Sequence, residues 1–542
     1  MAKPQKNPDS LFFLMGILIA IVLILFSPSL TSGFAYDSNA QILTGDFIHQ
    51  RTNLIPVLTF QVMSWDVLDF NRPVQLASLM FDSLVWGKNP FGYHLTNLLL
   101  HAIATCLTFL LIRHILAFTN PTRDNSRQNF STFLATLLFL VHPLVTEAVC
   151  EPSNRKDILA AVFGFTALLV LTRHSPAIRH GDALRLLLGI FLSLLSIGTK
   201  EVGVAIPVII FLYWFLFRRQ EPRTFWIIAI MGSAAVNIAF LIARFALAHQ
   251  PSEIFLNPPS YPGGSLTTAL LFQPRILVLY LINTLWPTNL CANYNLYSLR
   301  FLPLIPSLFV LAAFGALLAW WSSKDRRALF GTGIIAAALL PVCNLVPIYR
   351  PIADRYLYLP LIGMALLLAI GLDRPWLTKK SSRYRIAIIL ILIIASLLTQ
   401  TTLQRQWAWS SQLTLWQDTL ERNPRSYDAL VNLPECLLDA GRLEESKTQY
   451  EYTLRTPYAN HPWTWAGYAI LLNRLGDRAH AELAAKRALA LKPDIIDVDK
   501  MVRTMQTDRN FAEEFAPLAR LSQRPPASPI TTSKPTAKSP GK

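Results

Sequence analysis

Long apolar runs constrain this sequence more than any other feature. Runs of about 18 apolar residues recur through roughly the first 400 positions, and the first covers 11–26. Such a run is long enough to cross the hydrocarbon core of a bilayer as a helix. Charged residues make up only 15% of the chain, whereas about 25% is usual in soluble domains. The sequence therefore predicts an all-α, polytopic membrane protein and excludes disordered, collagenous and disulfide-framework proteins.

The first apolar run is predicted to be an uncleaved membrane span. Lys3 and Lys6 precede it, and no convincing small-residue cleavage site follows it. Because basic residues favour the cytoplasmic side, the N-terminus is expected in the cytoplasm. The arginines of later short loops, such as Arg173 and Arg185, fall on the same side. Further spans are predicted at 93–112, 132–149, 158–172, 184–198, 202–217, 225–247, 301–321, 328–348, 356–372 and 386–403.

The segment 266–286 is ambiguous, because Gln273-Pro274-Arg275 interrupts an otherwise apolar stretch. If it crosses the membrane, the basic cluster at 324–327 falls outside. If it is re-entrant or interfacial, that cluster and Lys379-Lys380 both fall inside. The distribution of positive charge favours the second arrangement. About eleven spans result, with the C-terminus outside.

The net charge of +16, from 49 basic and 33 acidic residues, orients the chain in the bilayer and does not indicate a nucleic-acid partner. No basic-aromatic groove or zinc-finger spacing occurs. The five cysteines are scattered and form no CxxC motif, so neither a zinc site nor a disulfide framework is predicted.

The composition changes after residue 403, where a repeat of about 34 residues begins. Pro424, Pro457 and Pro493 recur at this interval, as do Gly441 and Gly476. This period is typical of tetratricopeptide helix–turn–helix repeats. The predicted domains are a membrane domain over 1–403, a short repeat α-solenoid over 404–523 outside the membrane, and a disordered tail over 524–542.

Candidate catalytic groups collect in the loops that are predicted to lie outside. Asp37, some ten residues beyond the first span, could act as a general base towards a hydroxyl group. Arg355, Lys200 and Arg155 are candidates to hold a phosphate, because cations at a membrane face suit a lipid-linked phosphate. Each of these residues could instead be a loop or ion-pair residue. Together they suit the transfer of a group from a phosphate leaving group to a hydroxyl.

A second set of polar residues is predicted to support this site. Glu201 follows Lys200, and Asp354 stands between Arg350 and Arg355. His94 shares a helix face with Asn97 and His101, but no third strong ligand completes a metal site, so a hydrogen-bonding role is favoured. No metal and no cofactor is predicted. The full supporting set is Arg72, His94, Glu147, Glu201 and Asp354.

The order of the motifs resembles one known family. "YDSNAQI", "PFGYHLTNLLLHA", "LLFLVHPLVTEAV", "TKEVGV", "LVPIYRPIADRYLYLP" and "RQWAWSSQLTLWQDTLERNP" follow one another, as in the transmembrane and tetratricopeptide-repeat O-mannosyltransferases. The resemblance implies a GT-C fold and transfer of a sugar from a polyprenyl phosphate to Ser or Thr. That family usually has two adjacent acids in its first loop, whereas this chain has Asp37 followed by Ser38.

The expected function is therefore that of a membrane glycosyltransferase. It would transfer a hexose, such as mannose, from a polyprenyl-phosphate carrier to a hydroxyl acceptor, with a protein acceptor held by the repeats. The short repeat array favours a bacterial inner-membrane protein with periplasmic repeats; in a eukaryote the membrane would be the endoplasmic reticulum. The alternatives are a lipid-linked oligosaccharide ligase or polymerase, and a non-enzymatic scaffold or transporter. The sequence does not determine the sugar, the carrier, the acceptor or the oligomeric state.

Overall fold

In a computed structural model of the chain, the structure describes residues 8–65, 67–119, 125–174, 181–247, 261–373, 382–505 and 509–523. These residues form helices and turns, and no strand occurs among them. The all-α fold class is therefore confirmed. The predicted tail at 524–542, the loop residues 249–260 and Lys379-Lys380 lie outside the described residues.

The chain divides into two compact units, Met1–Cys436 and Leu437–Lys542. The boundary predicted at residue 403 falls inside the helix Ser382–Ala408, which belongs to the first unit. The first unit therefore continues past the last apolar segment.

The first unit is built from long apolar helices joined by short polar connections. Its helices are α1 (Pro8–Phe26), α2 (Leu54–Leu58), α3 (Pro73–Trp86), α4 (Pro90–Thr119), α5 (Asn125–Leu140), α6 (Thr146–Cys150), α7 (Arg155–Leu171), α8 (Asp182–Thr199), α9 (Ala205–Tyr213), α10 (Arg223–Leu247), α11 (Leu266–Leu285), α12 (Leu304–Lys324), α13 (Arg326–Leu339), α14 (Tyr358–Leu372), α15 (Ser382–Ala408), α16 (Gln412–Arg422) and α17 (Tyr427–Asp439), which continues into the second unit.

Nine helical segments of the described chain are long and apolar enough to cross a membrane, or up to ten if α5 and α6 form one broken span. A multi-pass membrane protein is therefore confirmed, although about eleven spans were expected. Two predicted spans are shorter than that test requires. Helix α7 has 17 residues, and α13 has 14 because Pro341 begins a new turn before 348 is reached. Pro143 similarly separates α5 from α6, which are bent by 54°.

Helix α11 passes the same test of length and composition, but its contacts follow one loop. Gln273 accepts a hydrogen bond from Asn344 at 3.2 Å, Tyr280 OH accepts one from the Ala353 N–H at 3.2 Å, and Asn283 donates to Asp354 at 3.3 Å. These contacts extend along about 15 Å of helix. The interfacial arrangement of this segment stays a prediction.

Burial separates central helices from lipid-facing ones. In the segment 354–372, which contains α14, 78% of the most apolar stretch of 18 residues is buried, whereas in α12 only 6% of such a stretch is buried. An apolar helix that has so little protein contact must find its apolar surroundings in lipid. Burial of α14 fixes the loop before it, which carries Asp354 and Arg355, at one end of the bundle.

The segment between α1 and α4 folds into short helices over a core of its own. Phe34, Ile42, Val57, Leu76 and Tyr93 are all buried there. This core supports the polar residues 36–38, which lie between Phe34 and Ile42. We call the end of the bundle that carries this segment the first-loop end.

The second unit is a set of paired helices: α18 (Leu443–Leu454), α19 (Pro462–Arg474), α20 (Arg478–Leu491), α21 (Val498–Met505) and α22 (Arg509–Ser522). Gly441 and Gly476 adopt positive φ in the turns before α18 and α20, where glycine is the residue that fits without strain. A side chain at Gly467 would approach Tyr450 OH to 2.0 Å, so close packing requires glycine there. Helix–turn–helix pairs thus occur where the repeat predicts them; their tetratricopeptide assignment stays a prediction.

Candidate active site

Asp37 lies in a firmly held turn at the first-loop end. The N–H of Tyr36 donates to Gln412 Oε1 at 3.2 Å, and its ring packs on Trp409 and Trp416 at centroid distances of 5.8 and 5.7 Å. Tyr36 has a φ of 53°, which is strained for a residue with a side chain and is common at functional sites. Asp37 itself is partly exposed, and its carboxylate forms no hydrogen bond or ion pair with any described residue, although Arg350 is close enough to interact with it electrostatically. Its carboxylate is therefore available to a substrate.

His94 supports the same turn from helix α4. It is 1% exposed, and its Nε2 lies 3.2 Å from the carbonyl oxygen of Gly33. The N–H of Gly33 in turn donates to the carbonyl of Ser410 at 2.9 Å. The predicted supporting role of His94 thus has a structural basis in the backbone that leads to Asp37.

Glu147 and Arg355 form a buried ion pair, with side chains 2% and 7% exposed. Glu147 Oε1 accepts from the Arg355 guanidinium, and Oε2 accepts the Arg355 backbone N–H at 2.9 Å. The neighbouring Asp354 accepts hydrogen bonds from Tyr294 at 2.8 Å and from Asn283 at 3.3 Å. The motifs 141–163 and 349–360 are therefore brought together, as the placement of their residues at one membrane face predicts.

Lys200 pairs with Asp157 at 2.5 Å, and both side chains are buried. Its ammonium also lies 4.8 Å from the ring centroid of Tyr356. Burial lowers the pKa of Lys200 to about 8, Asp157 opposes this shift, and the positive charge of Arg355 adds to it. Lys200 and Arg355 therefore belong to one electrostatic neighbourhood.

Arg72 is held by acids from two segments. It pairs with Asp69 on its own loop and with Glu201 at 3.2 Å, and Glu201 also binds Arg244 at 2.8 Å. Lys156 reaches Asp69 at 3.2 Å. Burial alone would raise the pKa of Asp69, but Lys156 and Arg72 outweigh it and hold the pKa below its usual range. Arg72 and Glu201, which were both predicted to support the site, are therefore in direct contact.

Arg155 does not lie with the other phosphate-binding candidates. Its side chain is 0% exposed; it donates to Asn97 at 2.8 Å, Ser78 at 3.0 Å and the Tyr93 carbonyl at 3.0 Å, and it forms an ion pair with Asp82 at 2.6 Å. A guanidinium buried and held in this way is not accessible to a phosphate. The geometry gives Arg155 a structural role between α3, α4 and α7, and the residue after it, Lys156, faces the charged network.

Four residues of this region were outside the predicted site set: Asp69, Lys156, Glu151 and Arg350. Arg350 pairs with Asp428 and lies 5.5 Å from the ring centroid of Tyr36. Glu151 binds Ser38, which is 113 positions away in the sequence. Ordinary charged residues at helix ends offer no local pattern that marks them. Only their tertiary contacts, with Asp69 for Lys156 and with Ser38 for Glu151, identify these two residues.

Several buried polar atoms near these residues have no hydrogen-bond partner among the described residues. Buried polar groups are almost always hydrogen-bonded, so such a concentration indicates space for water or a polar ligand. The unpartnered atoms of this region are Tyr36 Oη, Arg72 Nε, Glu151 Oε2, Asp157 Oδ2 and Arg355 Nε.

An apolar groove of about 520 Å³ is lined by the first loop and by helices α8 and α10. The first-loop residues are Thr59, Phe60, Gln61, Met63 and Ser64, and the helices contribute Leu194 and Phe240 among others. The lining includes Ala243, which precedes Arg244 of the network in α10. The groove and the charged network thus share one helix. Within the described residues, no group of three or more His, Cys, Asp or Glu side chains could hold a metal ion.

Fold and site together define a polytopic helical membrane protein that presents a free carboxylate and paired cations at one end of its bundle. Sequence comparison finds homologues named as protein O-mannosyl-transferases. F38B6.6 of Caenorhabditis elegans is 25% identical, covering 80% of this chain and 61% of the relative. Tmtc3 of Drosophila melanogaster is 26% identical, with 90% and 59% covered, and human TMTC3 is 22% identical, with 79% and 50% covered.

The resemblance predicted from the motifs is therefore confirmed, and the chain spans about three fifths or less of the length of these relatives. No family model matches the chain. Among solved structures, ArnT from Cupriavidus metallidurans is similar in its apo state, with 15% identity, a TM-score of 0.39, and 93% of this chain and 76% of ArnT covered. Such a TM-score does not establish a common fold, and the GT-C assignment stays a prediction.

Proposed function

We propose that the chain is a membrane glycosyltransferase. It takes a sugar, a hexose such as mannose, from a polyprenyl-phosphate carrier and transfers it to a hydroxyl acceptor, the side chain of Ser or Thr in a protein. The observation that carries the proposal is Asp37: a carboxylate without a partner, held by a strained and anchored turn, beside a set of buried cations. The homology to proteins named O-mannosyl-transferases supports the same reaction.

In this mechanism Asp37 accepts the proton of the acceptor hydroxyl. The hydroxyl oxygen then forms a bond to the anomeric carbon of the sugar, and the bond from that carbon to the phosphate oxygen breaks. The phosphate leaves with the bonding electrons, and Lys200 and Arg355 stabilise its negative charge. Glu147 and Asp157 fix these two cations in position, so that little reorganisation is needed during the reaction.

The apolar groove between residues 59–64, α8 and α10 suits the isoprenoid chain of the carrier. Burial of apolar surface contributes about 25 cal/mol per Å², and the groove shares helix α10 with Arg244. The phosphate would therefore lie at the end of the groove closest to Arg244. We further propose that the site faces the non-cytoplasmic side and that the second unit holds the protein acceptor.

The test is transfer from a labelled polyprenyl-phosphate hexose panel to Ser/Thr-containing acceptor peptides by purified protein. Wild type is expected to transfer the sugar, and Asp37→Asn is expected to lower kcat by about 10²- to 10⁴-fold, the usual range for a lost general base. Asp46→Asn is the matched control, because Asp46 lies in the same loop with its side chain 76% exposed. Equal rates in wild type and Asp37→Asn would remove Asp37 from the mechanism. Failure of wild type with every donor would overturn the proposed function.

A further inference from the structure

A second carboxyl group lies beside Asp37, supplied by a distant segment. Glu151, at the end of α6, is 0% exposed. Its Oε1 accepts hydrogen bonds from both the N–H and the hydroxyl of Ser38, at 2.8 and 2.5 Å. The N–H of Ser153 completes the arrangement by donating to the Ser38 hydroxyl oxygen at 2.9 Å. The residue that follows Asp37 is thus bound directly to a buried acid.

We propose that Glu151 is the second carboxyl group of the active site, where it positions residue 37 through Ser38 and is electrostatically coupled to Asp37. This inference rests on the proposed glycosyl transfer. Position 38 of this chain is serine, and that serine binds a carboxyl group from another segment.

Two observations separate this role from that of a simple loop anchor. An anchor needs only one oxygen, and Oε1 already accepts both hydrogen bonds from Ser38. The other oxygen, Oε2, is buried and has no partner among the described residues. It therefore has unused hydrogen-bonding capacity beside the segment that carries Asp37.

The surrounding charges explain how the two acids are coupled. Burial raises the pKa of Glu151 well above its usual range, the hydrogen bonds from Ser38 oppose this, and the negative charge of Asp37 raises it further. The other charged or titratable groups that face Glu151 are Lys156 from α7, which lowers its pKa, and the Cys150 thiol of its own helix. Two neighbouring carboxyls do not both ionise readily. The negative charge of Asp37 therefore favours the protonated form of Glu151.

The decisive variant is Glu151→Gln, because the amide oxygen of glutamine preserves both hydrogen bonds from Ser38 and removes only the carboxyl chemistry. The expected result is a kcat at least about tenfold lower, since an amide cannot take up or release a proton in response to the charge of Asp37. The donor KM should stay within about twofold, because Lys200 and Arg355 are untouched. Wild-type kcat in Glu151→Gln would overturn the proposal.

The complementary test moves the second carboxyl group from position 151 to position 38. Adding Ser38→Asp to Glu151→Gln restores a second carboxyl next to Asp37, and kcat should recover in part. Ser38→Asn in the same background is the matched control, which adds similar bulk without a carboxyl and should give no recovery. Equal behaviour of the aspartate and asparagine versions would contradict the proposal. Thermal unfolding in detergent identifies any variant that has lost its fold.

A readout independent of transfer separates this inference from the proposed function. The carbonyl stretch of protonated Glu151 can be isolated by infrared difference spectroscopy of wild type against Glu151→Gln. Removal of a neighbouring negative charge lowers the pKa of an acid, so Asp37→Asn should move the ionisation of this band to lower pH. An unchanged titration in Asp37→Asn would refute the pairing even if wild type proved inactive; inactivity of wild type together with the shift would refute only glycosyl transfer.

Discussion

Replacing Glu147 by glutamine should destabilise the first unit more than any exposed charge substitution. Glu147 on α6 binds Arg355, 208 positions later in the chain, through both of its carboxylate oxygens. Glutamine keeps the shape and one acceptor oxygen. Its amide nitrogen, however, is a donor and would face either the guanidinium or the backbone N–H of Arg355. Arg355 would also lose its direct ionic partner inside the protein.

The burial of this ion pair determines how much Glu147→Gln destabilises the protein. The side chains of Glu147 and Arg355 are only 2% and 7% exposed, so water cannot replace the lost carboxylate. Removal of one partner from a buried ion pair costs about 3–5 kcal/mol. By contrast, the pair between Lys88 and Asp46 has side chains 44% and 76% exposed, and such surface pairs contribute about 0–1 kcal/mol. Glu147→Gln should therefore cost several times as much as Asp46→Asn.

The assay is reversible unfolding of purified protein in mixed micelles of mild detergent and dodecyl sulfate, followed by tryptophan fluorescence. The double variant Glu147→Leu with Arg355→Met removes both charges and should unfold less readily than Glu147→Gln, because a well-packed apolar pair often replaces a buried ion pair without loss. A cost for Glu147→Gln below about 1 kcal/mol, equal to that of Asp46→Asn, would show that water reaches this pair and would refute the reasoning.

Two further predictions concern the cations. Lys200 has a pKa of about 8, so its positive charge is present below that pH and lost above it; the wild-type donor KM should rise as pH passes about 8. In Lys200→Gln the KM should be higher at neutral pH and change little across that range, and a flat wild-type profile in initial-rate measurements would contradict the assignment. Arg155→Lys keeps the charge but loses most of the three hydrogen bonds that accompany the ion pair with Asp82 in a fully buried site, so unfolding should become easier by about 2–4 kcal/mol with an unchanged donor KM. A raised donor KM at unchanged stability would show that Arg155 takes part in binding the phosphate.

The periodicity of apolar residues predicted most of the fold, because lipid imposes a simple length requirement on each crossing helix. The periodicity predicted the helix lengths less well where a helix is surrounded by protein instead of lipid. Helices α7 and α13 are shorter than a full span, and burial of α7 among other helices allows it to begin with three charged residues, Arg155 to Asp157. Hydropathy alone does not distinguish such a helix from a lipid-facing one.

The candidate site was predictable only as a set of end-of-span residues. Asp37, Lys200, Glu201, Arg72 and Arg355 could be selected because charge beside an apolar run is costly and invites a functional explanation. Which partner each charge meets depends on tertiary contacts across more than a hundred positions. The sequence therefore selected Arg155 and not its neighbour Lys156, whereas the fold buries Arg155 against Asp82 and directs Lys156 towards Asp69.

The pairing of charges explains how one site can both hold cations in place and remain open to substrate. Lys200 and Arg355 each have a carboxylate partner, and these partners reduce the cost of burying the cations. Arg72 and Arg355 nevertheless keep an unpartnered Nε–H, which remains available to the oxygens of a phosphate. Asp37 has the opposite arrangement, since its carboxylate has no hydrogen bond or ion pair with a described residue and is partly exposed. Glu151 and Asp354 also lack an ion-pair partner within the described part of the chain, but both are buried and accept hydrogen bonds from neighbouring side chains. Asp37 is therefore the acid best placed to accept a proton from a substrate.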